Sequence, residues 1–224
     1  MTKVAVVLSG CGYLDGAEIR EAVCTLVSLD RRGATVEMFA PNIEQRDVIN
    51  HLTGKPTNEK RNVLVEAARI ARGQIRDLKE AKAKDFDALI LPGGYGAAKN
   101  LSDIAIKGAD GTVNEDLKKL ISEFMLASKP VGVICIAPAV LAAATKGKHK
   151  VHVTLGEKDP DGLIGKLGSI HQGCQTLGIV IDDANHVVST PAYMSEAPIA
   201  EVAEGIDKLV ESIINQVQNA KRAA

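Results

Sequence analysis

What most constrains this chain is its regular alternation of short aliphatic runs with stretches of helical period. Residues 4–8, 88–91 and 131–135 are nearly unbroken aliphatic segments of strand length, and residues 35–40 are read with them as a fourth strand. Strands apolar on both faces belong to a parallel sheet covered by helices, since an antiparallel sheet with one wet face alternates apolar and polar residues. Between them, Ile19, Val23, Leu26, Val27 and Asp30 step at helical spacing, and Gly33 supplies a C-terminal cap. A second helix, capped by Thr57 or Asn58, carries Val63, Val65, Ala67, Ala68, Ile70 and Ala71 and ends at Gly73. Residues 114–128 form a third, with Leu117, Leu120, Ile121 and Phe124 on one face. Residues 196–217 form the last, capped by Ser195, before a polar tail expected to fray. A short helix is expected over 159–167, and an antiparallel hairpin over 179–181 and 187–190. The pattern predicts a doubly wound, mostly parallel α/β sheet sandwiched by helices, of the flavodoxin or glutamine-amidotransferase type.

A chain of 224 residues suits one such domain, 1–224, and nothing in it reads as a repeat or a linker. Aromatic residues make up only 3%, so the core must be aliphatic. A formal charge of −1 lacks the basic excess that nucleic-acid or anionic-membrane binding needs. The apolar start is too short to span a membrane, and neither a signal cleavage pattern nor a transit-like leader is visible, so the cytoplasm is expected. Cys11, Cys24, Cys135 and Cys174 are widely spaced, as reduced thiols are, and the five histidines show no metal-ligand spacing. No metal and no cofactor are expected.

The sharpest chemical signal is Val131-Gly132-Val133-Ile134-Cys135-Ile136-Ala137-Pro138. An aliphatic strand ends at a cysteine and a helix begins at once, with Pro138 suited to its first turn. A cysteine there faces free helix N–H groups, which favour thiolate and predict a lowered thiol pKa. The N–H of Ile136 is placed to stabilise an oxyanion. The strand at 88–91 runs into Pro92-Gly93-Gly94-Tyr95-Gly96, a turn that lets backbone N–H groups approach a ligand at the carboxyl edge of the sheet. This loop and Cys135 should share one crevice. A third glycine-rich stretch, Ser9-Gly10-Cys11-Gly12 with Asp15-Gly16-Ala17-Glu18-Ile19, is not G-x-G-x-x-G and gives little support to nucleotide binding. On spacing alone Glu18 reads as a glutamate complementing a helix dipole, and Cys11 as a partly exposed thiol bordering the crevice.

These segments, together with Asn50-His51-Leu52-Thr53-Gly54, Arg61-Asn62-Val63-Leu64-Val65-Glu66 and Thr190-Pro191-Ala192-Tyr193-Met194, resemble the PfpI and parkinsonism-associated deglycase superfamily over nearly the whole chain. The similarity is closest to its ElbB branch (enhancing lycopene biosynthesis). The resemblance implies that Cys135 is the nucleophile, Glu18 the carboxylate beside it, and Gly94 and Ile136 the oxyanion-hole donors. Gly93, Tyr95, Cys11 and, more weakly, Asn62 and His51 are expected to line the substrate site. His171 is a candidate third catalytic group, with a structural or dimer-interface role as the alternative. The His that follows the nucleophile in PfpI-type peptidases is Ile136 here, and the late His-x-Glu of glutaminases is missing, so amide hydrolysis lacks its usual base.

The resemblance therefore implies cofactor-independent glyoxalase chemistry: a small reactive aldehyde, glyoxal or methylglyoxal, becomes glycolate or lactate through a Cys135 hemithioacetal, with Glu18 moving the proton. It also implies a homodimer. The alternative is a non-catalytic redox-sensing or partner-binding protein linked to isoprenoid biosynthesis, acting through an oxidisable Cys135.

Overall fold

The computed structural model describes residues 1–223. In chain order the elements are β1 (Lys3–Val7), α1 (Ile19–Arg31), β2 (Thr35–Ala40), β3 (Ile49–Asn50), β4 (Lys55–Pro56), α2 (Val63–Ile70), β5 (Ile75–Asp77), β6 (Ala88–Leu91), α3 (Tyr95–Lys99), α4 (Ile104–Lys107), α5 (Glu115–Leu126), β7 (Val131–Ile134), α6 (Ala137–Thr145), β8 (His152–Val153), α7 (Leu163–Lys166), β9 (Ile170–His171), β10 (Val180–Asp182), β11 (Val187–Thr190) and α8 (Ile199–Ala223). Seven strands form one sheet in the order β10-β11-β7-β6-β1-β2-β5. All neighbours are parallel except the β10–β11 hairpin. The doubly wound α/β sheet read from the aliphatic runs is the observed fold.

Strand alternation divides the core into two layers. Val4, Val6, Ala88 and Ile90 face α1, α2 and α8, while Ala5, Val7, Leu89, Leu91, Val131 and Val133 face α3 to α7. β1, β6, β7 and β11 are buried along almost their whole length, which is why they read as continuous apolar runs.

Several local expectations need correction. The cap of α2 is Asn62, whose side chain accepts from the N–H of Val65, a contact typically worth about 1 kcal/mol. Thr57 instead closes the β3–β4 hairpin, its N–H bonded to the Val48 carbonyl. Ser195 does not cap α8. Its hydroxyl is engaged with Thr176 and the Ala192 carbonyl, and the helix starts at Ile199 behind Pro198. The tail stays helical to Ala223, held in part by Lys221 on Asp87 at 2.7 Å. The apolar stripe of α1 points the wrong way. Ile19, Val23 and Val27 are exposed, whereas Glu21, Ala22, Thr25, Ser28 and Leu29 are buried.

Candidate active site

β7 ends at Ile134, and Cys135 follows with φ at +61°, a left-handed backbone that is rare for a residue with a side chain. Its N–H is held by the Thr190 carbonyl at 3.0 Å, and α6 begins two residues on with Pro138 in its first turn. The turn pushes the side chain out at the carboxyl edge of the sheet. Strain of this kind costs on the order of 1–3 kcal/mol and persists only where the surroundings over-determine it. The N–H groups of Gly94 and Ile136, the expected oxyanion donors, both act on the Cys135 thiol and favour its thiolate form.

Gly94 has φ of +91°, and its neighbour Gly93 packs so tightly that a Cβ there would stand 2.5 Å from that of Cys135. These are the physical reasons for glycine after β6. The Gly93 carbonyl accepts from the N–H of Glu18 at 3.0 Å, which ties the loop to the start of α1.

The carboxyl against the Cys135 thiol is that of Glu21, three residues beyond the expected Glu18. Glu21 is fully buried. Its Oε2 accepts from the Gly93 N–H at 2.9 Å and its Oε1 from the Tyr193 N–H at 3.3 Å. Burial, then the nearby charge of Glu18, push its pKa up to about 8, so it is protonated at neutral pH. Glu18 itself caps α1, its Oε2 accepting from the Glu21 N–H at 2.7 Å, while its side chain also walls the cleft over Cys135. Burial raises the Glu18 pKa as well.

The thiol differs from its expectation too. Burial and the charge of Glu21 raise the Cys135 pKa well above the ordinary cysteine value, and the Gly94 and Ile136 N–H groups only partly oppose them. The helix terminus is present, but a side chain only 7% exposed loses more from desolvation than it gains from two amides. At neutral pH Glu21 and Cys135 both hold their protons.

The cleft has a volume of about 270 Å³ and is lined by Tyr13, Glu18, Gly94, Tyr95, Cys135, Ile136, Tyr193 and Met194. The chain contains three tyrosines, and all three are here. Of them only Tyr95 was expected from the sequence. Tyr13 and Tyr193 lie far away in the chain, and only the sheet topology brings them together. A wider outer basin continues past Tyr13, Glu18 and Tyr193 to Arg20 and His51. His51 sits edge-on to Tyr13 at 5.4 Å, with Nε2 accepting from the Leu14 N–H.

Other expected residues lie outside the cleft lining. His171 is on β9, paired with β8 in a separate two-stranded sheet, and its Nε2 is buried with no hydrogen-bond partner among the described residues. Asn62 is occupied as the α2 cap and as a donor to Asn42 at 2.8 Å. The Cys11 thiol sits among the charges of Glu66, Arg69, Asp15 and Arg61, with its pKa raised by burial. Gly93 supports the cleft from behind through Glu21. Among the described residues no group of three or more His, Cys, Asp and Glu side chains could hold a metal ion.

A parallel sheet with a strained cysteine elbow at its carboxyl edge, a buried glutamate behind the thiol and a glycine turn beside it define a class. The chain belongs to the DJ-1/PfpI family, whose model matches residues 3–189. Within it, a solved structure described as an isoprenoid biosynthesis protein with an amidotransferase-like domain, from Ehrlichia chaffeensis, superposes with a TM-score of 0.92 at 42% identity, covering 96% of this chain and 99% of that one. The human glutamine amidotransferase-like class 1 domain-containing protein 3, mitochondrial, is 44% identical over 95% of this chain and 82% of its own length. The rat ES1 protein homolog, mitochondrial, is 43% identical over 95% and 83%. Among the described residues no helix is long and apolar enough to cross a membrane.

Proposed function

We propose that this chain is a cofactor-independent glyoxalase acting on glyoxal and methylglyoxal, with Cys135 as nucleophile and Glu18 as proton shuttle. One observation carries the reading: a strained cysteine beside the Gly94 and Ile136 N–H groups forms the floor of a cleft of about 270 Å³, and the half-buried carboxyl of Glu18 forms its wall.

In the proposed cycle the Cys135 sulfur bonds to the aldehyde carbon, and the thiol proton ends on the aldehyde oxygen by way of Glu21. Developing negative charge on that oxygen is met by the Gly94 and Ile136 N–H groups. Glu18 takes the hydrogen from the former aldehyde carbon as a proton and returns it to the adjacent carbon. One carbon is thereby oxidised and its neighbour reduced, so no outside oxidant is needed. Water then cleaves the thioester, releasing lactate from methylglyoxal or glycolate from glyoxal and restoring the thiol. The raised Glu18 pKa favours this role, because a base acts best when its pKa approaches the working pH.

Purified protein should convert methylglyoxal to lactate, Cys135→Ala should not, and Glu18→Gln should lose about 10²–10⁴ in rate while still forming a borohydride-trappable adduct. Lactate assay and intact-mass spectrometry read the two steps separately. Wild-type rates in Glu18→Gln would remove Glu18 from the mechanism, and no lactate from wild type would end the glyoxalase reading.

A further inference from the structure

Glu21 is the one buried acid behind the nucleophile, and the structure shows what holds it. Its Oε2 is fixed by the Gly93 N–H, part of the rigid turn after β6. The donor to its Oε1 is the Tyr193 N–H, at 3.3 Å, from a turn with a different character. That turn follows β11, opens with Pro191 and places Ala192 at φ +46°, again the left-handed region for a residue with a Cβ. A strained turn returns to a relaxed backbone unless something holds it.

Two contacts pin it from opposite ends. Ser195 bonds the Thr176 hydroxyl and, at 3.2 Å, the Ala192 carbonyl. At the cleft side the Tyr193 phenol accepts from Arg20 Nη1 at 3.3 Å, with the guanidinium 5.9 Å from the ring centre. Arg20 immediately precedes Glu21 on α1. Tyr193 therefore touches two consecutive residues of one helix, Arg20 through its side chain and Glu21 through its backbone. Arg20 has no carboxylate within 4 Å among the described residues, which leaves the phenol as its partner.

We propose that Arg20 and Tyr193 are a positioning pair that keeps the Tyr193 N–H on the Glu21 carboxyl and thereby holds that carboxyl in place against the Cys135 thiol. Neither residue takes part in bond making. The proposal rests on the geometry around Cys135 and holds whichever substrate the cleft accepts. An amide donor stabilises the carboxylate form of Glu21, so its withdrawal raises the pH at which Glu21 ionises. The other titratable groups acting on Glu21 are Glu18 on the same helix and Cys135 across from it, and Cys24 lies within reach of both glutamates.

The test is carboxyl ¹³C NMR of glutamate-labelled full-length protein. The Glu21 signal is the one that disappears in Glu21→Gln. Tyr193→Phe is the decisive variant, because it removes the phenol oxygen and leaves the Arg20 charge in place. Its Glu21 midpoint should rise by about half a pH unit. Arg20→Lys, which keeps a charged donor, should stay nearer the wild type than Arg20→Gln. Combining Arg20→Gln with Tyr193→Phe should add little beyond the larger single shift, since both break one contact. A Glu21 midpoint in Tyr193→Phe that is unchanged or lower overturns the proposal, as do strictly additive shifts. The readout needs no turnover, so it stands apart from failure of the aldehyde chemistry.

Discussion

Cys135 occupies a left-handed backbone although it bears a side chain, and the residues around it explain why the conformation holds. Gly93 leaves room on one side, the Thr190 carbonyl fixes the N–H, and α6 starts at once on the other. Gly93→Ala tests this fit. Its Cβ would fall 2.5 Å from Cys135 Cβ and 2.8 Å from both Glu21 Oε2 and the Ile134 carbonyl oxygen, and a backbone oxygen in a central strand cannot yield. Overpacking of this kind costs about 1–3 kcal/mol. At roughly 2–4 °C per kcal/mol for a chain of this size, the melting temperature should fall by several degrees, with altered Cys135 alkylation by iodoacetamide. An unchanged melt and an unchanged alkylation rate would show that the strand and elbow are not packed as described. The elbow was legible in the sequence because the switch from Val and Ile to Ala and Pro around Cys135 is abrupt. Glu21 was not, since Ile19, Val23 and Val27 mark the opposite side of α1 as the apolar one and leave Glu21 reading as solvated.

The same helix shows what an element owes to its neighbour. With small and polar side chains inward, α1 is fastened to α8 by more than apolar contact. Arg32, its C-terminal cap residue, reaches Asp207 on α8 with two parallel hydrogen bonds of 2.7 and 2.9 Å, and Ser28 donates to the same carboxylate at 2.6 Å. The guanidinium, then the Ser28 hydroxyl, hold the Asp207 pKa down at about 2. A carboxyl with a lowered folded-state pKa adds stability above its unfolded value, near 3.9, and loses it as pH falls through the folded value. Urea midpoints of the wild type should therefore decline between about pH 4 and pH 2, and Asp207→Asn should be less stable at neutral pH with a shallower decline over that window. Parallel profiles for the two proteins would show that the clamp contributes nothing. Elements of this kind divide by legibility. The central strands of the sheet announce themselves because burial on both faces imposes an unbroken apolar run. β3, β4, β5, β8 and β9 have two or three residues each, too short for any period, and exist only because a partner segment lies beside them. The Asn62 cap of α2 and the start of α8 at Ile199 were missed for a related reason: several polar or turn-forming residues precede each helix, and tertiary contacts decide where it begins.

At the scale of the whole molecule, the misoriented stripe of α1 acquires a meaning. Ile19, Val23 and Val27 recur every four residues and are each more than 40% exposed, on the helix whose opposite face carries Glu21 to Cys135. A solvated row of β-branched residues gains nothing for a monomer, while two copies related by a two-fold axis can bury it against itself, since an isologous contact needs only one self-complementary patch. We therefore propose that the chain is a homodimer, as the family resemblance implies, and that α1 lies in the contact. Because these side chains are exposed in the protomer, charging one should separate the copies without unfolding them. Light scattering at tens of micromolar should give twice the chain mass for the wild type and the chain mass for Val23→Asp, with the two far-ultraviolet circular dichroism spectra superimposed. A wild type that is monomeric refutes the dimer, and a Val23→Asp variant that stays dimeric moves the contact away from α1. The dimer carries a consequence for the site: Glu18 and Ile19 open the same helix, and Ile19 also borders the outer basin. A contact along α1 would therefore narrow the approach to Cys135, and the monomeric variant should react faster with bulky thiol reagents than the wild type while reacting equally with iodoacetamide.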